Sequence, residues 1–196
     1  MQTENGNDLN RKKFEELMSK VNREGIGKLM EYIRSSDFYT APASTRFHLC
    51  VEGGLLQHSL NVYNCLIAKK ENPTWKKILE NAGEESLIII ALLHDLCKTN
   101  FYTIEMRWHK DEDNKWEQYP VYTVDDKVPY GHGEKSAMMV EQFIKLKGYE
   151  RFAIRWHMGY TEPKEAYLQL GQAIKMYPII LALHEADLEA SALLEV

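Results

Sequence analysis

A chain of 196 residues is long enough for one domain with a substantial core. Its 27% charged and 44% hydrophobic residues are ordinary globular proportions, and its net charge of −5 argues against a broad nucleic-acid-binding face, which is normally basic. A small phosphorylated substrate stays open, because bound cations can supply the missing positive charge. Cys50, Cys65 and Cys97 are widely spaced and form no CxxC pair, so neither a zinc ribbon nor a disulfide framework is indicated, and a reduced cytoplasmic setting is the expectation. The polar stretch Met1–Asp8 is not a signal peptide, and no apolar run approaches the roughly 20 residues needed to span a bilayer. A soluble protein without a membrane partner is expected.

Residues 1–8 read as frayed. From about Leu9 to Arg23, Phe14, Leu17, Met18 and Val21 fall at helical spacing, and Gly25 reads as the stop. Ile26, Leu29, Met30 and Ile33 line one face of a second short helix, and Ser35 to Phe47 is a loop. Gly53-Gly54 opens a helix from about Leu55 to Lys70, with His58 in its first turns. Pro73 suits the first turn of another helix ending near Asn81, and Gly83 breaks it. Glu84-Glu85 favour the start of the next helix, which is expected to run to about Lys98.

The pattern then changes. Phe101, Thr103, Tyr119, Val121, Tyr122, Thr123 and Val124 are strand formers around the charged turn Lys110–Asn114, so residues 101–126 read as a β-hairpin inserted into a helical protein. Its aromatic residues either stack on a base as a lid or pack one face on the helices; packing is the expectation, since isolated hairpins need it. Helix resumes from about Glu134 to Lys147, with Ala137, Val140, Phe143 and Ile144 inward and Gly148 as the stop. A short helix runs from Tyr149 to His157, ended by Gly159. Glu162–Leu170 reads as helical in its second half, and a last helix runs from Pro178 to about Leu194.

Seven apolar residues, Leu87 to Leu93, run straight into His94 and Asp95. Charged groups are rarely fully inside unless something pairs them, and a metal ion is the simplest partner for such a doublet. His58, His94, His132 and His157 each fall near a predicted helix end or beside glycine, and Asp187 lies in the apolar last helix. Singly, each is ordinary: a cap, a core hydrogen-bonder or a surface residue.

In order, however, the set resembles the HD-domain superfamily of metal-dependent phosphohydrolases over residues 45–191. Gly53-Gly54-Leu55-Leu56-Gln57-His58-Ser59 is similar to that family's first-histidine helix, and His94-Asp95-Leu96-Cys97-Lys98 to its name-giving doublet with trailing lysine. Gly131-His132-Gly133-Glu134-Lys135-Ser136 and Arg155-Trp156-His157-Met158-Gly159 resemble the two extra histidine motifs of its two-metal branch, and Ala186-Asp187 its closing aspartate. The likeness is to HD hydrolases of bacteria and their phages and, more distantly, to HD-type 3′–5′ exoribonucleases. Cys97 stands where much of the family has glycine; it is taken as packing.

The resemblance implies an all-α HD-domain helical bundle over 1–196, with N-terminal helices in 1–44 and the hairpin as an insertion. It assigns His58, His94, Asp95 and Asp187 to a first metal, and His132 and His157 to a second, with Asp95 bridging. Imidazole and carboxylate ligands suit iron, manganese, nickel, cobalt or zinc. Two such metals hold a hydroxide and polarise a phosphoryl group. Asp95 and Lys98 are then catalytic, and Lys98, His48 and His184 are candidates for substrate contact. The ordinary reading of Lys98 is a solvated helix-end lysine, and that of Glu134 is favourable first-turn chemistry rather than acid–base work. His109 is expected at the surface. The implied activity is hydrolysis of a phosphomonoester or phosphodiester by a metal-bound hydroxide, the substrate a nucleotide or short oligonucleotide rather than a long polymer. A diiron HD-fold oxygenase and a non-catalytic nucleotide-binding module are the alternatives.

Overall fold

The computed structural model of the chain describes residues 6–195. Nine α-helices and one hairpin follow in order among the described residues: α1 (Gly6–Met18), α2 (Ile26–Ser35), α3 (Gly54–Ala68), α4 (Pro73–Ala82), α5 (Glu84–Leu93), β1 (Tyr102–Lys110), β2 (Trp116–Val124), α6 (His132–Glu141), α7 (Gly148–Trp156), α8 (Tyr167–Met176) and α9 (Ile179–Glu189). No helix among them is long and apolar enough to cross a membrane.

The chain folds around α5. Every residue from Ser86 to Leu93 is buried, because this helix is apolar on all sides and its neighbours α1, α3, α4 and α7 surround it. Each of its large aliphatic side chains contributes about 1.5–3 kcal/mol by leaving water, an upper figure. Helix α9 packs on α3 and α7, and α6 packs on α7, so α3, α5, α6, α7 and α9 bring their ends toward one region.

Several boundaries differ from the sequence reading. Residues 1–5 lie outside the described residues, but Gly6–Asp8 form the first turn of α1 rather than a frayed end. Helix α1 stops at Met18, well before Gly25, which is instead the N-cap of α2 and backs against the Phe143 carbonyl. Helix α5 stops at Leu93 rather than near Lys98. Helix α6 ends at Glu141, and Gly148 opens α7 instead of closing α6. The cause at that last junction is a cap: the Lys147 backbone N–H donates to the Glu150 carboxylate at 2.7 Å, which starts a new helix.

The hairpin pairs Tyr102 with Val124 through to Lys110 with Trp116 in an antiparallel register, turning over Asp111–Lys115. The expectation that one face packs on the helices is not met. Ile104, Met106, Trp108, Trp116 and Val124 are all more than half exposed. Only the base is anchored, where the Tyr102 hydroxyl donates to the Ala43 carbonyl at 3.2 Å.

Candidate metal centre

Asp95 is the centre of a buried polar cluster. After α5 the chain leaves helical geometry at Asp95 (φ −105°, ψ 20°), in the sparsely populated bridge region, and makes a 3-10 turn over Leu96–Lys98. In such a turn positions three apart eclipse, so the Lys98 ammonium returns to the Asp95 carboxylate at 2.7 Å. Lys98 is therefore not a solvated helix-end lysine: its side chain is 14% exposed, and its partner is Asp95.

The two Asp95 oxygens look in different directions. Oδ2 faces His94 Nε2 at 3.5 Å and His58 Nε2 at 3.6 Å, besides Lys98. Oδ1 faces His132 Nε2 at 2.7 Å and His157 Nε2 at 3.5 Å. Asp187 joins through His58, its Oδ1 lying 3.2 Å from Nε2. The structure thus brings together all six residues that the resemblance names: His58, His94, Asp95, His132, His157 and Asp187.

Each ring is set by its other nitrogen. His94 Nδ1 donates to the Ala91 carbonyl at 2.8 Å and His157 Nδ1 to the Ile154 carbonyl at 2.7 Å, bonds to the last turns of α5 and α7. His94 Nε2 then lies 3.3 Å from His58 Nε2, while His157 Nε2 meets no hydrogen-bond partner. His58 Nδ1 donates to the Glu195 carboxylate at 3.0 Å, and Asn61 Nδ2 holds the same carboxylate at 2.9 Å. His132 Nδ1 lies 3.2 Å from Cys97 Sγ. Cys97 is thus more than packing, for its thiol is the neighbour that His132 meets. Burial pushes that thiol up to about 12, so it faces His132 uncharged.

Tight backbone contacts position the motifs. A Cβ on Gly133 would lie 2.1 Å from the Arg155 carbonyl, so glycine lets α6 press against the end of α7 and sets the His132 and His157 rings 5.1 Å apart. Gly159 has φ +56°, and a Cβ there would strike the His184 ring at 2.4 Å. His184 Nδ1 donates to the His157 carbonyl at 2.7 Å, so it anchors the backbone that carries a candidate ligand. Ser136 Oγ accepts from the Cys97 N–H at 3.1 Å, tying α6 to the turn after α5. Glu134 is occupied by an ion pair with Arg155, which supports the first-turn reading over acid–base work. His109 pairs with Glu117 at 2.7 Å on the hairpin, away from the cluster. His48 stacks its ring 5.0 Å from that of His58, and its Nε2 is shut from solvent without a hydrogen-bond partner.

The local field favours positive charge. Burial opposes a charge on His58, but Asp187 and Glu195 outweigh it and raise the ring to about 9. His94 is pushed down to about 4 by burial, only partly offset by Asp95, so it presents a neutral ring. Burial would raise Asp95 and Asp187, yet Lys98 and the imidazoles hold Asp95 well below the usual carboxylate range, and His58 does the same for Asp187. Two ionised carboxylates beside four imidazoles are a donor set for a borderline transition metal. His157 Nε2 adds a direct test: it is buried, lacks any hydrogen-bond partner and points at Asp95. A cation would satisfy that atom, and the residues fit one.

The cluster opens to solvent on one side. His48, Asp187, Lys98 and His132 keep between 14% and 31% of their side chains exposed, whereas His58, His94 and His157 are closed off.

Sequence reasoning missed Glu195 and Asn61. The available signal was spacing: Glu195 lies about two helical turns beyond Asp187, and Asn61 one turn beyond His58. Removing an outer partner of a ligating histidine costs about 10–100-fold in metal affinity. Glu195→Gln is expected to weaken metal uptake by that factor in a competitive chelator titration, with an unchanged circular dichroism spectrum; unchanged affinity would deny Glu195 this role.

No protein-family model, curated protein or solved structure matches the chain, so the case for the site stands on the geometry of its own side chains.

Proposed function

We propose that the chain is an HD-type, metal-dependent phosphohydrolase acting on a phosphomonoester or phosphodiester, with a nucleotide or short oligonucleotide as substrate. The observation that carries this reading is the division of Asp95, one oxygen toward His58 and His94 and the other toward His132 and His157. Two cations there would be held by His58, His94 and Asp187 and by His132 and His157, with Asp95 available to both sets. Two divalent metals bound there supply Lewis acidity for a phosphoryl oxygen and lower the pKa of water toward neutrality.

The chain's own groups do the rest. Glu195 and the α5 and α7 carbonyls engage Nδ1 of His58, His94 and His157, which turns each Nε2 toward the cluster. Lys98 places an ammonium beside Asp95 at the open side, where it can donate to a phosphoryl oxygen. His48, at the same opening, is placed to line the path of the substrate. The net charge of −5 favours a small substrate over a long polymer.

The test is a panel of phosphoesters against manganese, iron, nickel, cobalt and zinc. Release of phosphate or nucleotide with at least one metal, abolished by chelator and by His94→Ala, is the expected result. Oxygen consumption by an iron-loaded protein with no phosphoester turnover under any metal would replace this reading with an oxygenase. Tight nucleotide binding without turnover under any metal would replace it with a binding module.

A further inference from the structure

Beside the metal centre lies a second feature with its own chemistry. A cleft of about 410 Å³ opens between the loop before His48 and the hairpin, lined by Thr45 and Arg46 on one side and by Arg107, Tyr119 and Thr123 among the hairpin residues. Its volume is in the range of small-ligand sites. No carboxylate is among its lining residues, although the protein as a whole carries a net charge of −5.

The cleft's cationic groups are at most weakly engaged. Arg46 is exposed and has no ion-pair partner among the described residues. Arg107 meets only Glu105, two residues along its own strand, at 3.8 Å and with both side chains about half exposed. A contact of that kind contributes little. Arg107 pairs directly with Tyr119 in the hairpin register, so a guanidinium and a phenol ring stand side by side on one face. Thr123 lies further along that face, and its Oγ1 is shut from solvent with no hydrogen-bond partner. Two forked cations, an aromatic ring and an unsatisfied hydroxyl together match a phosphate attached to a planar base.

The cleft is also coupled to the metal centre by a short, fixed loop. The Ser44 hydroxyl donates to the His48 carbonyl at 2.9 Å and accepts the Phe47 N–H at 2.9 Å. The Tyr102 hydroxyl ties the same loop to the hairpin base at Ala43, and His48 stacks on His58. One loop therefore forms a wall of the cleft and reaches a candidate ligand.

We propose that this cleft binds a nucleoside monophosphate unit, with Arg46 and Arg107 on its phosphate and Tyr119 against its base. It deepens the phosphohydrolase reading and rests on it only in making that unit the non-scissile part of the substrate. The exposed hairpin is then a specificity element whose working surface is the Arg107–Tyr119 face.

The test is calorimetric titration of the full chain with adenosine 5′-monophosphate, adenosine and inorganic phosphate. Chelator is present throughout, so binding through metal does not count. The nucleotide is expected to bind more tightly than either fragment. Arg46→Ala and Arg107→Ala should each weaken it by about tenfold or more, the loss of a charge-assisted bond. Tyr119→Ala should weaken nucleotide and adenosine binding but leave phosphate unchanged. Metal affinity should be the same in all three variants. Nucleotide affinity that survives both arginine substitutions overturns the cleft even if the phosphoester panel finds turnover. Arginine-dependent binding upholds it even if that panel finds none.

Discussion

Asp95→Ala is expected to abolish both metal retention and phosphoester turnover. The loss should exceed the roughly 100-fold that removing an outer partner costs, because Asp95 lies within 3.6 Å of four imidazoles, two at each oxygen. The measurement is metal content of the purified protein together with turnover under saturating metal. Asp95→Asn separates charge from shape. It keeps the side-chain outline but takes the negative charge from between Lys98, at 2.7 Å, and His132, at 2.7 Å. It is expected to fail as completely as alanine. A thermal melt distinguishes this from unfolding. Full turnover in either variant would refute the assignment of Asp95.

The largest effect on stability is expected away from the metal centre. Glu150 is fully buried in α7, and it accepts from Arg23 Nη2 at 2.7 Å, from Ser86 Oγ at 2.6 Å and from the Lys147 N–H at 2.7 Å. This network ties the turn between α1 and α2 to α5 and α7. Arg23→Ala leaves the Glu150 charge buried without its guanidinium, which costs about 3–5 kcal/mol. That is a large share of a typical total of about 5–15 kcal/mol. Urea denaturation at pH 7 measures it; a change below about 1 kcal/mol would show that Ser86 and the backbone suffice.

The same pair predicts an acid dependence. Burial alone would raise the Glu150 carboxyl, but Arg23, Ser86 and the Lys147 N–H hold it below its ordinary 4.5. A depressed folded-state value means that the unfolded chain takes up the proton first as pH falls. The pair's contribution is therefore complete above pH 4.5 and declines below it, until the folded-state carboxyl also protonates. Wild type and Arg23→Ala should differ most at neutral pH and converge in acid. A gap that widened as pH fell would contradict the assignment.

How much of this was readable beforehand follows from the range of the interactions. The all-round apolar run Leu87–Leu93 can only be buried, so the central helix and the doublet at its end were legible. Helices α3 and α9 were legible from their spacing, and the hairpin from its strand formers. Glycine was misread at Gly25 and Gly148, because a glycine signal marks a break without saying which helix it belongs to. At Gly25 the deciding contact is the Phe143 carbonyl, more than a hundred residues away. At Gly148 it is the Glu150 carboxylate, drawn into the core by Arg23.

What the amino-acid order determined by itself was an inventory: a helical chain, one hairpin, four histidines and two aspartates set beside apolar runs and glycines. Local periodicity and residue type suffice for that, since they act over a few neighbours. Only the tertiary structure decided that Asp95 divides its oxygens between two groups of rings, that Glu195 holds His58 Nδ1, that Cys97 touches His132 and that the hairpin stands in solvent. Each depends on where helices distant in sequence come to rest, and a cation-binding field exists only once those separate ends have been packed together.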